Sequence, residues 1–401
     1  MRASQVLQKC LFHSLTTMHR ARSRVLLQAV EALVAGRRLT LMDVARSWPG
    51  AERVRAPLKA FDRLLSNPHL HAERVQVYTD MAHWLLRCKQ PVIVVDWSDL
   101  KPDKSWGLLR AAVPVGGRTL PVLDMVFPGS QAGSPKAEKL FLQRLSEIVP
   151  DHVTPILVTD AGYRAPWFRA VDALGWHWLG RLRHRTLVKP VEAHAEEDWV
   201  PSRALYALLD GNGTRDLGLM DTVRNRPWTC RVVIHRKKGK GRKDRNLNGK
   251  PARTTSSRKV AARFREPWLL VASPSLQLRA RQLVQLYARR MQIEQSFRDL
   301  KSHHYGSAFE DSLTRSGKRL QVLLLVHAMA NFASWLAGLA CEATGLDYWM
   351  LPIKTTRKLY STMRIGREAL VRSWPMERTS RWLTRLRSLP ADVLEQTQAP
   401  A

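Results

Sequence analysis

Two aspartates stand where hydrophobic logic disfavours them. Asp96 directly follows the apolar, β-branched run PVIVV, and Asp160 closes the run TPILVT. A carboxylate in a buried strand is costly unless it is paired or binds a metal. Each one alone is equally a turn residue at a strand end, and Asp99 and Asp124 are rivals on the same segments. A third acid, Glu294, lies in YARRMQIEQSFRDLK, Tyr287 to Lys301. Read as one helix, this stretch gathers Tyr287, Arg290, Glu294 and Lys301 into a stripe roughly 60° wide. Beside it runs an apolar stripe of Leu286, Ile293, Phe297 and Leu300. Surface ion pairing would explain the polar stripe as well. Three carboxylates facing one space, however, suit Mg2+, which takes oxygen ligands and keeps waters for a phosphate. Two such ions activate an attacking water or 3′-hydroxyl and stabilise the leaving oxygen of an in-line displacement. No GxSxG or P-loop offers a competing site.

The elements that must carry these acids follow from periodicity. PVIVVDW (91–97) predicts a buried strand. LLRAAVPV (108–115), Gly116-Gly117 and RTLPVLDMVF (118–127) predict a hairpin. SPKAEKLFLQRLSEIV (134–149) is helical, VTPILVTDAG (153–162) is another buried strand, PWFRAVDAL (166–174) is a helix begun by Pro, and WHWLGRLR (176–183) alternates like a strand. The expected order is three strands, helix, strand, helix, strand. The first and fourth strands can then bring Asp96 and Asp160 together, and a later helix on that sheet adds Glu294.

Charge points to the partner. Among 401 residues, Lys+Arg 65 against Asp+Glu 34 leave a formal charge of +31. Such a surplus repels itself unless a polyanion offsets it, which favours nucleic acid over an anionic membrane surface. The surplus is concentrated between Arg224 and Arg265, where 16 Lys/Arg face the single acid Asp244. Its centre, HRKKGKGRKDRNLNGK, is expected to be a loop between the strands TCRVVIH (229–235) and PWLLVAS (267–273), touching phosphates rather than serving only as a solvated charge run.

The first 85 residues read as helical. LTLMDVARSWPG followed by VRAPLKAFDRLL fits either a helix-turn-helix reader or an ordinary helical hairpin. The apolar run LQVLLLVHAMANFASWLAGLAC (320–341) approaches the length of a membrane span, but Gln321, His327 and Asn331 interrupt it, so a buried core helix is expected. Cys10, Cys88, Cys230 and Cys341 are scattered, which argues against a zinc knuckle or disulfide framework and fits a reducing cytoplasm.

With these residues in view, the sequence resembles the DDE transposases of bacterial insertion sequences. Tyr287, Arg290, Glu294 and Lys301 match the Y-x2-R-x3-E-x6-K motif of the cut-and-paste group named for that YREK pattern. The resemblance covers most of the chain: RLTL, DRLLSNPHLHAERVQVY, VDWSD around Asp96, TDAG around Asp160, GWHWLGRLR, EPWLL and RMQIEQSFRDLKS. It fades beyond about residue 350.

The resemblance implies an α/β fold: a ribonuclease-H-like catalytic core, with a mixed five-stranded sheet flanked by helices, a β-rich basic insertion and an all-α N-terminal domain. The corresponding segments are 1–85 for DNA-end recognition, 86–185 and 268–345 for the core, 186–267 for the insertion and 346–401 for a helical C-terminal region. Asp96, Asp160 and Glu294 would hold two Mg2+ ions, for which Mn2+ substitutes. Arg290, Lys301, Arg298 and Tyr287 would meet DNA near the cleaved end. Trp268 would stack on a displaced base, the other reading being a core Trp. Lys237, Lys238, Lys240, Arg242 and Lys243 would touch phosphates. Partners would be double-stranded DNA, as terminal inverted repeats and target, and a second copy in a paired-end homodimer, with no membrane involved. Two alternatives stay open: a ribonuclease-H-like DNA nuclease without joining, and a non-catalytic basic DNA-binding protein.

Overall fold

The computed structural model describes residues 1–183, 185–193, 195, 198–237, 254–255, 266–352, 358–376, 378–386 and 389–400. They divide into two compact units, Met1–Pro155 with Arg289–Ala399, and Ile156–Ala288.

The first unit begins with six helices between Ala3 and Leu85, as the helical reading of the first 85 residues expects. A meander follows: β1 (Val92–Asp99), β2 (Trp106–Pro114) and β3 (Thr119–Pro128), paired antiparallel in that order. The β2–β3 turn is set by Gly116 and Gly117, with φ of 86° and 82°. Two consecutive positive φ values make the type I′ geometry that matches strand twist, and side chains rarely tolerate them. The helix Met291–Lys301 packs across all three strands, burying Ile293, Phe297 and Leu300. It is pinned there by Ser296 Oγ, which accepts the Thr119 amide at 2.8 Å.

The core of this unit is the helix Gly317–Thr344, apolar on all sides. Among the described residues it is the one helix long and apolar enough to cross a membrane, yet 94% of its apolar window is buried inside the protein. The core-helix expectation accords with that burial. Its closest neighbour is the helix Thr362–Val371. A Cβ on Gly338 would lie 1.9 Å from the Thr362 carbonyl oxygen, and one on Gly366 would lie 1.8 Å from that of Ser334. The two backbones therefore meet directly, and no larger residue fits at either position.

The second unit has the strand order β4-β5-β10-β9-β8-β6-β7, where β4 is Ile156–Val158, β5 His177–Arg181, β6 Leu187–Pro190, β7 Val200–Pro201, β8 Gly213–Thr222, β9 Trp228–Arg236 and β10 Trp268–Ala272. The pair β4–β5 is parallel; the other pairs in this unit are antiparallel. The order of strands and helices through β5 is the one periodicity predicts. β4 is much shorter than 153–162, because the chain turns at once: Asp160 Oδ1 accepts the Gly162 amide at 2.7 Å.

Candidate active site

Three acids were expected to converge, and the structure places them on different supports. Asp96 sits on β1 just past the buried run Val92–Val95, and its side chain is half-buried. Its Oδ1 accepts the amide of Trp97 at 2.9 Å. Glu294 lies in the first turn of the helix Met291–Lys301, where the helix dipole favours a carboxylate. Between them stands Arg290. Its Nη1 lies 3.4 Å from Asp96 Oδ2, and its Nη2 donates to Glu294 Oε1 at 2.7 Å. The arginine side chain is 13% exposed and that of Glu294 43%. One guanidinium thus gathers carboxylates from a strand and a helix far apart in sequence.

Asp160 belongs to the second unit. The bond to Gly162 is the turn that the sequence offered as the plain explanation of this residue. A Cβ at Gly162 would lie 2.7 Å from Asp160 Oδ1, so a larger residue there would push the folded-back carboxylate aside. Arg183 holds the same turn, its Nε donating to the Ala161 carbonyl at 2.7 Å. Among the described residues, no three of His, Cys, Asp and Glu gather closely enough to form a metal site.

The rivals are separated cleanly. Asp124 closes a bidentate pair with Arg110, at 2.6 and 2.7 Å, and both side chains are essentially fully buried. Asp99 is exposed, with Lys104 at 3.9 Å. A carboxylate paired bidentately with a guanidinium and sealed in the core is closed to a metal and its waters; Asp96, half-buried at the end of the same row, does not have that enclosure.

The single helix expected from Tyr287 to Lys301 is two helices. Tyr287 lies in the last turn of Ala280–Ala288, and Arg290 caps Met291–Lys301. At the break the amides of Gln292 and Ile293 bond three residues back, to Arg289 and Arg290. Neither Gly nor Pro marks the site. Arg289 is drawn instead to the carbonyls of Gln396 and Gln398, at 3.0 and 2.5 Å. The four-residue stripe is therefore not one continuous helix face. Arg290 and Glu294 keep their i,i+4 relation, Lys301 ends the second helix half-buried, and Arg298 is exposed on it. Tyr287 is buried, its ring edge-on to Trp268 at 5.2 Å.

Trp268 opens β10 opposite His235 of β9, whose ring centroid is 5.8 Å away. It is half-buried between two rings rather than enclosed in a core. Lys237 is exposed just after β9. Lys238, Lys240, Arg242 and Lys243 lie outside the described residues.

A further basic face lies on the helix that the sequence offers as half of a helix-turn-helix reader or helical hairpin, though its residues were not among the site candidates. In the helix Arg55–Leu65, Arg55, Lys59 and Arg63 are exposed, while Pro57, Phe61, Leu64 and Leu65 are buried. Their spacing of four puts the three cations on one side. That signal was legible in RAPLKAFDRLL.

Residues 87–331 match the family model described as the transposase DDE domain. No curated protein matches the chain.

Proposed function

Because this chain belongs to the DDE transposase family, whose members are metal-dependent enzymes of phosphoryl transfer on DNA, we propose that it moves an insertion sequence by cutting and pasting, through nicking, hairpin formation at the element's ends and strand transfer. The observation that carries the reading is the sharing of Arg290 between Asp96 and Glu294. Two acids on separate elements, near enough to share one cation and with Glu294 open to solvent, are the donor set a hard divalent ion takes.

In this reading Asp96, Asp160 and Glu294 hold two Mg2+ ions, which supply Lewis-acid activation of the attacking oxygen and charge stabilisation at the leaving one. The protein's own residues position the strand. Arg290 turns from the carboxylates toward a phosphate, which pairs with a guanidinium whatever the base. Arg298 and Lys301 extend that phosphate track along the same helix. Trp268, with one face of its surroundings built from His235 and Tyr287 rings, receives a base displaced when the hairpin closes. Tyr287 acts through Trp268, since its ring is buried against it.

The exposed cations Arg55, Lys59 and Arg63 suit end recognition by the N-terminal helices. The lysines and arginines from Lys237 to Lys243 make sequence-independent phosphate contacts. In this reading the core is ribonuclease-H-like, and the spacing of Tyr287, Arg290, Glu294 and Lys301 supports assignment to the YREK group, which includes the transposase of the tetracycline-resistance transposon ten. The enzyme works as a homodimer on paired terminal inverted repeats and inserts them into target DNA in the bacterial cytoplasm.

The test is excision and joining in vitro, on a substrate carrying the DNA that flanks the gene at both ends, with Mg2+ and an Asp160→Ala control. Hairpinned ends and inserted products, absent in the control, are expected. Cleavage without hairpins or joining would reduce the reading to a plain nuclease. Full activity of the Asp160→Ala protein would remove Asp160 from the metal site.

A further inference from the structure

A cavity of about 230 Å³ opens within the first unit, among the C-terminal end of the helix Arg20–Gly36, the helices Met291–Lys301 and Gly317–Thr344, and the start of Thr362–Val371. It is not the face of the catalytic helix that carries Glu294. The lining residues of that helix are Ser296 and Asp299, which lie roughly 200° and 140° around the axis from Glu294.

Four arginines border the cavity: Arg37, Arg118, Arg364 and Arg367. Asp299 is the one acid among the lining residues, and it is held by Arg118. Glu368 stands 3.7 Å from Arg367 but also receives Arg372 at 3.2 Å. Among the described residues no acid lies within salt-bridge distance of Arg37 or Arg364. Arg37 holds its place in a left-handed conformation, φ 68°, which a non-glycine residue adopts only at a cost. The guanidinium of Arg367 is pushed down to about 10, first by burial and then by the neighbouring charge of Arg37. Like charges gathered around one partly enclosed space destabilise the fold unless an anion joins them. Neutral donors complete the lining: the hydroxyl of Ser361, which caps Thr362–Val371, and the side-chain amide of Asn331.

We propose that this cavity binds a small phosphate-bearing anion of about pyrophosphate size, separately from the DNA on which the carboxylates act. Size sets the class: drug-sized ligands occupy roughly 300–1,000 Å³, and this space is smaller. Guanidinium forks match phosphate oxygens in pairs. The recess, lying away from Glu294, suits a free anion better than a duplex backbone, which needs an open surface.

The experiment is calorimetric titration of the full-length protein with sodium pyrophosphate, in EDTA and at constant ionic strength. One saturable site is expected. Arg364→Gln and Arg37→Gln, both on exposed side chains, should each weaken it roughly tenfold, the loss of one charge-assisted contact. Arg144→Gln, exposed, paired with Glu147 and absent from the lining, should leave it unchanged. Circular dichroism confirms that each variant is folded. Absence of saturable binding overturns the proposal, as does loss in Arg144→Gln without loss in Arg364→Gln. A duplex-binding assay forms the second arm: if Arg364→Gln weakens DNA binding while pyrophosphate does not bind, the phosphate belongs to DNA and the free-anion site is wrong. Because the titration contains no DNA or divalent metal, its outcome is independent of whether the chain transposes.

Discussion

Two arginine–carboxylate arrangements lie on the meander of the first unit. Asp96, Arg110 and Asp124 are directly opposite one another across β1, β2 and β3, so their side chains share a face. At one end, Arg110 and Asp124 form a closed bidentate pair with side-chain exposures of 1% and 0%. At the other, Asp96 shares Arg290 with Glu294, which is 43% exposed. The same residue types thus do two jobs. A buried pair has already lost its water, and its two charges satisfy each other, so neither can be withdrawn cheaply. The open cluster keeps water on Glu294 and divides one guanidinium between two acids. Its cation can be exchanged for another because Glu294 stays solvated when the arginine leaves, while Asp96 and Arg290 are each 13% exposed.

The largest effect should come from Asp96→Ala. If Asp96 is a metal ligand, end cleavage should fall by roughly a thousandfold or more, the several kcal/mol that a bound metal contributes to the transition state. Chemical denaturation should meanwhile show a smaller stability change than Asp124→Ala does, because Arg290 keeps Glu294 as a partner. A cleavage rate near that of the parent protein would remove Asp96 from the chemistry.

Next in size is Asp124→Ala, which strands Arg110 in the core. Breaking a buried pair costs about 3–5 kcal/mol, so the denaturation midpoint should drop sharply while cleavage per folded molecule is kept. Equal loss of activity per folded molecule would mean that the two ends of the row do not divide structure from chemistry.

The smallest effect at neutral pH concerns His327, buried in the core helix. Burial first, and then the charge of Arg110, lowers its pKa to about 3. The folded protein therefore holds it neutral, while the unfolded chain protonates it near pH 6.5. Its contribution is complete above pH 6.5 and is lost as pH falls from there toward 3, by about 1.4 kcal/mol per pH unit. Replacing it as His327→Asn should flatten that part of the stability profile; an unchanged slope would refute the assignment.

Much of this was readable beforehand. Gly116-Gly117 between alternating runs announces a hairpin through backbone geometry alone. The run from Leu320 to Cys341 announces a helix, and its polar interruptions argue for a core rather than a membrane. Asp96 and Asp160 were visible as acids at the ends of apolar runs. What stayed hidden depended on remote partners. Nothing near Asp124 in the sequence says that Arg110 neutralises it, because antiparallel register is required to put them side by side. Nothing in YARRMQ says that the helix breaks, because the carbonyls that draw Arg289 away come from Gln396 and Gln398. The arginines of the cavity come from the end of the helix Arg20–Gly36, the β2–β3 turn and the helix Thr362–Val371, and only packing gathers them.

The sequence by itself determined which residues were capable of chemistry and which segments were strands or helices, since both follow from side-chain type and from periods of 2 and 3.6 residues. Tertiary structure alone decided which acid would be sealed beneath an arginine and which would stand open beside one. Burial and charge pairing are set by neighbours distant along the chain, and no local pattern encodes them.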